Sequence, residues 1–243
     1  DDSFEELAAR SDLPNFDVVC LHGVWTWISD SNREVIIDIL RRKLKPGGLC
    51  YISYNSLPGW APFIPVRELL VQFATRASLG TMSQKIDASL EFAQKVVDAN
   101  SAYFQENPGN LKRLESMKDK DKNYLAHEYF NKDWKPMAFS NAAENLMEAK
   151  LTFAASAHLL DHIEDLNIPD AAREMLHSIE DPILRETTLD MFTNQQFRRD
   201  LFIKGPRQLS NSERQSRLQN LSFMMLVHPD DRPKTVQSSL GKA

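Results

Sequence analysis

Glycine and cysteine are scarce in this 243-residue chain, and long apolar runs are absent from it. With only 8 glycines, and with segments rich in Leu, Ala, Glu, Lys and Gln, the composition favours helices over loops or barrels. Cys20 and Cys50 both lie in apolar runs, which predicts buried free thiols in a reducing compartment and not a disulfide framework or a zinc site. No apolar run approaches the roughly 18 residues of a membrane span, and the N-terminus does not have the pattern of a signal peptide. We therefore predict a cytoplasmic protein without a membrane partner.

The chain as a whole carries a small excess of acidic residues. The net charge of −5 provides no basic field for a polyanion, so nucleic acid is not an expected partner. The chain opens on Asp1 without a methionine, and the first strand pattern follows at Asp17. We therefore expect a piece of a longer protein.

The first 55 residues contain the pattern of a strand–helix–strand unit. Residues 17–24 are rich in Val and Leu without polar alternation, which is typical of a strand buried on both faces in a parallel sheet. Ser31 and Glu34 form a capping-box pattern that starts a helix, and Pro46-Gly47-Gly48 ends it. Residues 49–53 form the second buried strand. This order predicts a βαβ unit with two parallel strands.

Helical patterns dominate the rest of the chain, interrupted by a few short strands. The predicted helices are 65–78, 83–105, 110–130, 140–149, 169–179 and 182–195. The predicted strands are 151–156, 200–204 and 223–227. Asn107-Pro108-Gly109 predicts a turn between the second and third helices.

Several longer phrases carry a family resemblance. These are LHGVWTWI at 21–28, YNSLPGW at 54–60, YLAHEYF at 124–130 and QFRRDLF at 196–202. Together with Phe16-Asp17 before the first strand and LKPGG at 44–48, they resemble bacterial class I S-adenosylmethionine-dependent methyltransferases that carry a methyltransferase regulatory domain. Rickettsial-type protein-lysine methyltransferases are members or close relatives of that group.

The resemblance implies an α/β fold: the C-terminal half of a Rossmann-like class I methyltransferase sheet with a large helical insertion. It divides the chain into a partial methyltransferase core at 1–61, a helical or regulatory insertion at 62–139, a return to the sheet at 140–207, and a tail at 208–243. We expect the insertion to lie above the carboxyl ends of the strands and to cover the acceptor site.

The resemblance also implies a cofactor, S-adenosylmethionine, and residues that contact it. The adenine side corresponds to Asp2, Ser3 and Phe4, and the turn beside the methyl donor corresponds to His22, Gly23, Val24 and Trp25. Neither a G-x-G-x-x-G cluster nor the acidic ribose-binding residue occurs in this chain. The resemblance places both upstream, so we expect the chain alone to bind the cofactor poorly.

The acceptor side of the implied site follows the second strand. An amine must lose its proton before it attacks the methyl group, because the reference pKa of lysine is about 10.4. The residues predicted to assist are His22, Tyr54 and Asn55. The predicted function is methyl transfer to a protein lysine amine; the alternatives are a non-catalytic regulatory or homodimerisation module, or a small-molecule methyltransferase.

Some of these residues have a simpler structural interpretation as well. His22 is either a functional group or a strand-end histidine bonded to backbone, and the tryptophans line an acceptor pocket or fill a core. His127 and Glu128 belong to a lid or to a surface helix. Arg198 and Arg199 pair with an acidic partner or flank a strand edge. His158 and His162 have a spacing that suits a metal, but without a third ligand we predict no metal site.

Overall fold

The computed structural model describes residues 2–78, 80–206, 209–235, 237–238 and 241–242. A mixed four-stranded sheet lies at its centre, built from strands β1 (Phe16–Leu21), β2 (Leu44–Asn55), β3 (Leu151–Ser156) and β4 (Phe197–Lys204). The spatial order is β1-β2-β4-β3. β1 and β2 are parallel, whereas β4 is antiparallel to both β2 and β3. The α/β class is confirmed.

Most of the other elements of the structure are helices. Those of the segment between β2 and β3 in the sequence include a group that packs into a helical layer with its own core. The bounds of the α-helices are α1 Phe4–Ala9, α2 Asp30–Lys43, α3 Ile64–Arg76, α4 Met82–Asp98, α5 Ala102–Glu106, α6 Pro108–Met117, α7 Lys122–Tyr129, α8 Phe139–Met147, α9 Glu164–Asn167, α10 Asp170–His177, α11 Pro182–Thr193 and α12 Asn211–Gln219. A short pairing of Gln237–Ser238 with Gly241–Lys242 lies near the C-terminus.

The predicted βαβ unit is confirmed, with a different cap. α2 begins two residues earlier than expected, because the Ser29 side chain accepts a hydrogen bond from the backbone N–H of Asn32 at 3.1 Å. At the other end, the Lys204 ammonium donates to the carbonyl oxygens of Leu40 and Leu44, at 3.0 and 2.7 Å, and to that of Arg41. A cation beside these carbonyls stabilises the end of α2, where the Leu40 oxygen also accepts a hydrogen bond from the backbone N–H of Leu44.

Two long helices predicted from periodicity are each broken in the structure. The 83–105 prediction is divided into α4 and α5 because Asn100 adopts a left-handed conformation, with φ 63°. The 110–130 prediction is divided into α6 and α7 because the Asp121 side chain caps a new helix.

The strand predicted at 223–227 is wrong. This segment is not in a strand, and its side chains are exposed, Phe223 by 88%. An apolar β-rich segment needs a neighbouring strand, and among the described residues this one pairs with none.

β1 is less buried than its apolar composition predicts. Leu21 is buried, but Val18 is 60% exposed and Cys20 is also exposed. β1 lies at the edge of the described sheet, and Val18 and Cys20, two residues apart, share the face of β1 that is open to solvent there. The prediction of two buried thiols therefore holds only for Cys50, where burial raises the pKa to about 12.

Two apolar cores stabilise the two layers. The sheet core packs β2 and β4 against α2 and α8 through residues such as Leu40, Ile52 and Phe202. The helical core lies within 60–130 and contains Phe63 and Leu125. Its position agrees with a helical insertion, while the four proposed segment boundaries stay predictions. Of the helices in the described ranges, none is both long and apolar enough to cross a membrane.

Candidate active site at the carboxyl edge of the sheet

Three strands end at the same edge of the sheet. β1 and β2 are parallel, and β3 runs in their direction because both β2 and β3 are antiparallel to β4. Ligands of open sheets bind beyond the carboxyl ends of such strands. The residues that follow Leu21 and those that end β2 therefore form the candidate site.

The turn after β1 is held against β2 by hydrogen bonds. Gly23 adopts a left-handed conformation, with φ 64°, and its N–H donates to the Ser53 hydroxyl at 2.8 Å. The exposed His22 ring stacks on Tyr51 at 6.0 Å between centroids, and its Nδ1 lies 3.3 Å from the Tyr51 hydroxyl. The ring partner of His22 is thus a side chain, not the backbone that its structural interpretation predicts, and its functional role stays a prediction.

The other residues of this turn lie deeper. The Trp25 side chain is fully buried in the sheet core, and its carbonyl accepts a hydrogen bond from Arg33 at 2.7 Å. Val24 packs against the same core. Of the side chains predicted on the donor side of this turn, only that of His22 is exposed; Gly23 and Val24 reach the edge through their backbone.

The predicted adenine-side residues form the start of α1. Ser3 caps the helix by accepting from the backbone N–H of Glu6 at 3.2 Å, and Asp2 pairs with Arg10 at 2.9 Å. Phe4 packs against the sheet core. Their contact with a cofactor stays a prediction.

Tyr54 and Asn55 are neighbours in β2 but point to opposite faces. Tyr54 is fully buried, and its hydroxyl donates to the Asp200 carboxylate at 2.8 Å. Burial raises its pKa well above the ordinary value. A fully buried hydroxyl does not reach an acceptor molecule, so in this conformation Tyr54 has a structural role.

Asn55 faces the helical layer. Its backbone N–H donates to the Thr26 hydroxyl at 2.8 Å, and its side-chain amide donates to the Glu128 carboxylate of α7 at 3.4 Å. Nearby, the backbone N–H of Lys135 donates to the Thr26 carbonyl at 2.8 Å. The helical layer therefore returns over the carboxyl edge of the sheet, where a lid was expected.

Glu128 is a half-buried carboxylate whose loss of solvation is offset by few protein contacts. Burial raises its pKa, while the Asn55 hydrogen bond and the charge of Arg113 act in the opposite direction. Arg113 itself donates to Gln196 at 2.7 Å and stacks over Trp60 at 4.4 Å. Among the described residues, no cation forms an ion pair with Glu128.

The residues of the phrase at 54–60 that follow β2 form backbone hydrogen bonds with the residues that precede β4. The N–H of Ser56 donates to the Gln196 carbonyl at 2.8 Å, and that of Gly59 donates to the Gln195 carbonyl at 3.0 Å. A Cβ on Gly59 would lie 2.6 Å from the latter oxygen and against the Gln196 side chain. The glycine is required for this close approach.

Behind the edge lies a buried ion cluster centred on Arg198. Its guanidinium contacts Glu186 at 3.0 Å, Asp190 at 2.5 Å and Asp200 at 2.8 Å. It also lies 4.3 Å from the centre of the Phe139 ring. Burial raises the pKa of Asp190 to about 7. The cluster lines a cavity of about 480 Å³.

Sequence reasoning missed Tyr51, Ser53 and the specific role of Glu128. Tyr51 and Ser53 alternate with Tyr54 along an apolar strand, so only their pairing with the turn after β1 reveals them. His158 contacts Asp161 at 2.8 Å and His162 contacts the Ser156 carbonyl at 2.9 Å. No group of three or more metal-ligating side chains occurs within the ranges that the structure describes.

Comparison with known proteins identifies the group to which this arrangement is similar. Residues 121–204 match the family model described as a predicted methyltransferase regulatory domain. PKMT2 from Rickettsia typhi in complex with AdoHcy has a similar fold, with a TM-score of 0.65 and 23% identity over 86% of this chain and 40% of that one. The resemblance to methyltransferases with a regulatory domain is confirmed.

Two curated proteins to which this chain is similar are uncharacterized proteins. One, from Synechocystis sp., is 42% identical over 227 residues, which is 93% of this chain and 44% of that protein. The other, from Rickettsia prowazekii, is 24% identical over 225 residues, which is 91% of this chain and 40% of that protein. The chain thus spans less than half the length of the relatives it matches.

Proposed function

We propose that the chain is the C-terminal part of an S-adenosylmethionine-dependent methyltransferase that acts on a protein lysine amine. The observation that carries this proposal is the junction of the turn after β1 with the end of β2, fixed by the Gly23–Ser53 hydrogen bond of 2.8 Å. This junction lies at the carboxyl edge of the sheet, where open α/β sheets in general bind ligands, and Asn55 at the end of β2 contacts Glu128 of the segment that matches the regulatory domain. PKMT2, whose fold is similar, has a solved structure in complex with AdoHcy, which supports the proposed cofactor.

The residues present fit one side of the cofactor. A Cβ at Gly23 would meet nothing within 4 Å, so the turn leaves open space at the edge. The buried indole N–H groups of Trp25 and Trp27, both in the turn after β1, have no hydrogen-bond partner among the described residues, and neither has that of Trp134; an acceptor atom placed at this turn would satisfy one of the first two. We propose that His22, Gly23 and Val24 lie beside the donor, with Asp2, Ser3 and Phe4 on the adenine side. The chain contains no Gly-rich cluster for the amino-acid end.

Bound S-adenosylmethionine supplies the electrophilic methyl group, and the protein supplies position and proton handling. The acceptor amine must be neutral when it attacks. The His22 Nδ1 is engaged with Tyr51, and no described residue forms a hydrogen bond with its Nε2. We propose that Nε2 accepts the amine proton, while Asn55 helps to orient the acceptor.

The test is methyl transfer by the full-length gene product. Tritiated S-adenosylmethionine is incubated with poly-L-lysine, with a protein mixture, and with small amines, and labelled products are located by mass spectrometry. We expect methyl groups on lysine side chains. Label confined to small amines would favour a small-molecule methyltransferase, and the absence of transfer to any acceptor would refute the proposal.

A second function is favoured by the missing Gly-rich cluster: this chain alone is a non-catalytic regulatory or dimerisation module. Titration of S-adenosylhomocysteine into the chain and into the full-length gene product separates the two. Binding to the full-length product alone supports the methyltransferase with a cofactor site completed outside this chain. Binding to neither supports the interaction module, and sedimentation then shows whether it forms a homodimer.

A further inference from the structure

One carboxylate at the candidate site is not explained by the fold. Glu128 lies on α7, whose buried face is provided by Leu125 and Tyr129, so it is not needed to hold the helix in place. Its one described hydrogen bond comes from Asn55 at 3.4 Å, which is long for a charged acceptor. Half-buried carboxylates are costly unless they are paired. This one faces the carboxyl edge of the sheet without a cationic partner.

An aromatic ring lies one helical turn before it. Tyr124 and Glu128 are four residues apart on α7 and therefore share a face of the helix. The Tyr124 side chain is 49% exposed, and its ring meets that of Tyr129 edge-on at 6.4 Å. The nearest arginine, Arg113, is engaged by Gln196 and by the Trp60 ring. An accessible ring and an unpaired carboxylate are the two groups that bind alkylammonium ions.

We propose that Glu128 and Tyr124 bind the protonated side-chain amine of the methyl acceptor and so determine specificity for cationic amines. This inference rests on the proposed function, and it concerns binding of the acceptor before proton loss. Asn55 orients the carboxylate from the end of β2. Because the binding groups belong to α7, the helical layer selects the acceptor while the sheet edge contacts the donor.

The first experiment measures binding without requiring turnover. n-Butylammonium chloride is titrated into the 243-residue chain, and the side-chain amide resonances of Asn55 are followed by NMR, with n-butanol as the neutral control. We expect saturable shifts for the ammonium ion only. The isosteric Glu128→Gln variant should bind at least ~10-fold more weakly, because the charged acceptor of the ammonium hydrogen bond is lost; a tenfold change corresponds to about 1.4 kcal/mol. Equal shifts in both proteins, or none in the wild type, would overturn the inference.

The second experiment measures specificity in the full-length gene product with poly-L-lysine as acceptor. Glu128→Gln should raise KM by at least ~10-fold with kcat changed far less, since it removes binding of the charged amine. Tyr124→Phe keeps the ring and should leave KM near the wild-type value, whereas Tyr124→Leu should raise it several-fold. Glu115→Gln, at an exposed position of α6, is the matched control. Unchanged KM in Glu128→Gln contradicts the inference.

The outcomes for the two proposals are distinguishable. If the ammonium ion binds in a way that depends on Glu128 but the wild type transfers no methyl group, the proposed function is refuted and the amine site is supported. If the wild type methylates lysine equally well with and without the Glu128 carboxylate, the proposed function is supported and the amine site is refuted. Calorimetry with S-adenosylhomocysteine and thermal unfolding of each variant show that folding and the donor site are intact.

Discussion

Removal of the Arg198 guanidinium should destabilise the chain strongly. The Arg198 side chain is only 5% exposed, and it contacts three carboxylates, those of Glu186, Asp190 and Asp200. The variant Arg198→Met keeps most of the aliphatic volume and leaves these carboxylates buried without their cation. Breaking a buried ion pair in this way costs roughly 3–5 kcal/mol.

The geometry places the expected loss near the lower end of that range. The cluster lines a cavity of about 480 Å³, through which water can reach the remaining carboxylates. The pKa of Asp190 is already raised to about 7, and loss of the guanidinium, which lowers this pKa, would raise it further, so part of the uncompensated charge is removed by protonation. We therefore expect a loss of about 3 kcal/mol at pH 7.5, which corresponds to a decrease in Tm of roughly 6–12 °C for a chain of this size.

The assay is urea-induced unfolding followed by circular dichroism at pH 7.5 and pH 5. The penalty should shrink at pH 5, because the carboxylates of the variant are then more fully protonated. Arg199→Met is the matched control: Arg199 is exposed, and its ring contact, with Phe197, is at 5.7 Å. It should change the free energy of unfolding by no more than about 0.5 kcal/mol. A loss under about 1 kcal/mol for Arg198→Met, or an equal loss in both variants, would refute the reasoning.

Three further predictions concern stability. Gly59→Ala should cost about 1–3 kcal/mol, because its Cβ would lie 2.6 Å from a backbone oxygen, whereas Gly109→Ala meets nothing within 4 Å and should be neutral or stabilising; similar urea midpoints for the two would contradict this. Lys204→Met should lower stability by about 2 kcal/mol by removing the cation beside the helix-terminal carbonyls, measured by thermal unfolding, and no change would mean that water replaces the ammonium. The pKa of Asp190 is about 7 in the folded state and 3.8 ordinarily, so between pH 3.8 and pH 7 the folded state binds a proton that the unfolded state does not. The contribution of Asp190 to the free energy of unfolding therefore falls as pH rises from 3.8 to 7. Asp190→Asn should therefore gain stability relative to the wild type between pH 5 and pH 8, and parallel pH profiles would show that Asp190 does not titrate there.

The sequence by itself determined most of the local elements and carried the family resemblance. The βαβ unit of β1, α2 and β2 follows from apolar runs, a capping residue and a Gly-rich turn, all of which depend on neighbours a few residues apart. The phrases at 21–28 and 54–60 indicated the methyltransferase group, and they do lie together at one edge. Where a predicted helix was divided, a single residue was responsible, such as Asn100, whose left-handed conformation ends α4 before α5. The strand predicted at 223–227 was wrong for a tertiary reason, because no described strand pairs with that segment.

Only the tertiary structure decided which side chains meet. Asn55 and Glu128 are 73 positions apart, and Tyr54 and Asp200 are 146 apart, so no periodicity in the sequence pairs them. Arg198 and Asp200 share one face of β4, and the position of α11 beside this strand brings Glu186 and Asp190 to the same guanidinium. Burial of Tyr54 and exposure of Cys20 likewise depend on which elements cover each strand. These contacts are set by packing over long separations along the chain, and the amine site proposed at Glu128 is one of them.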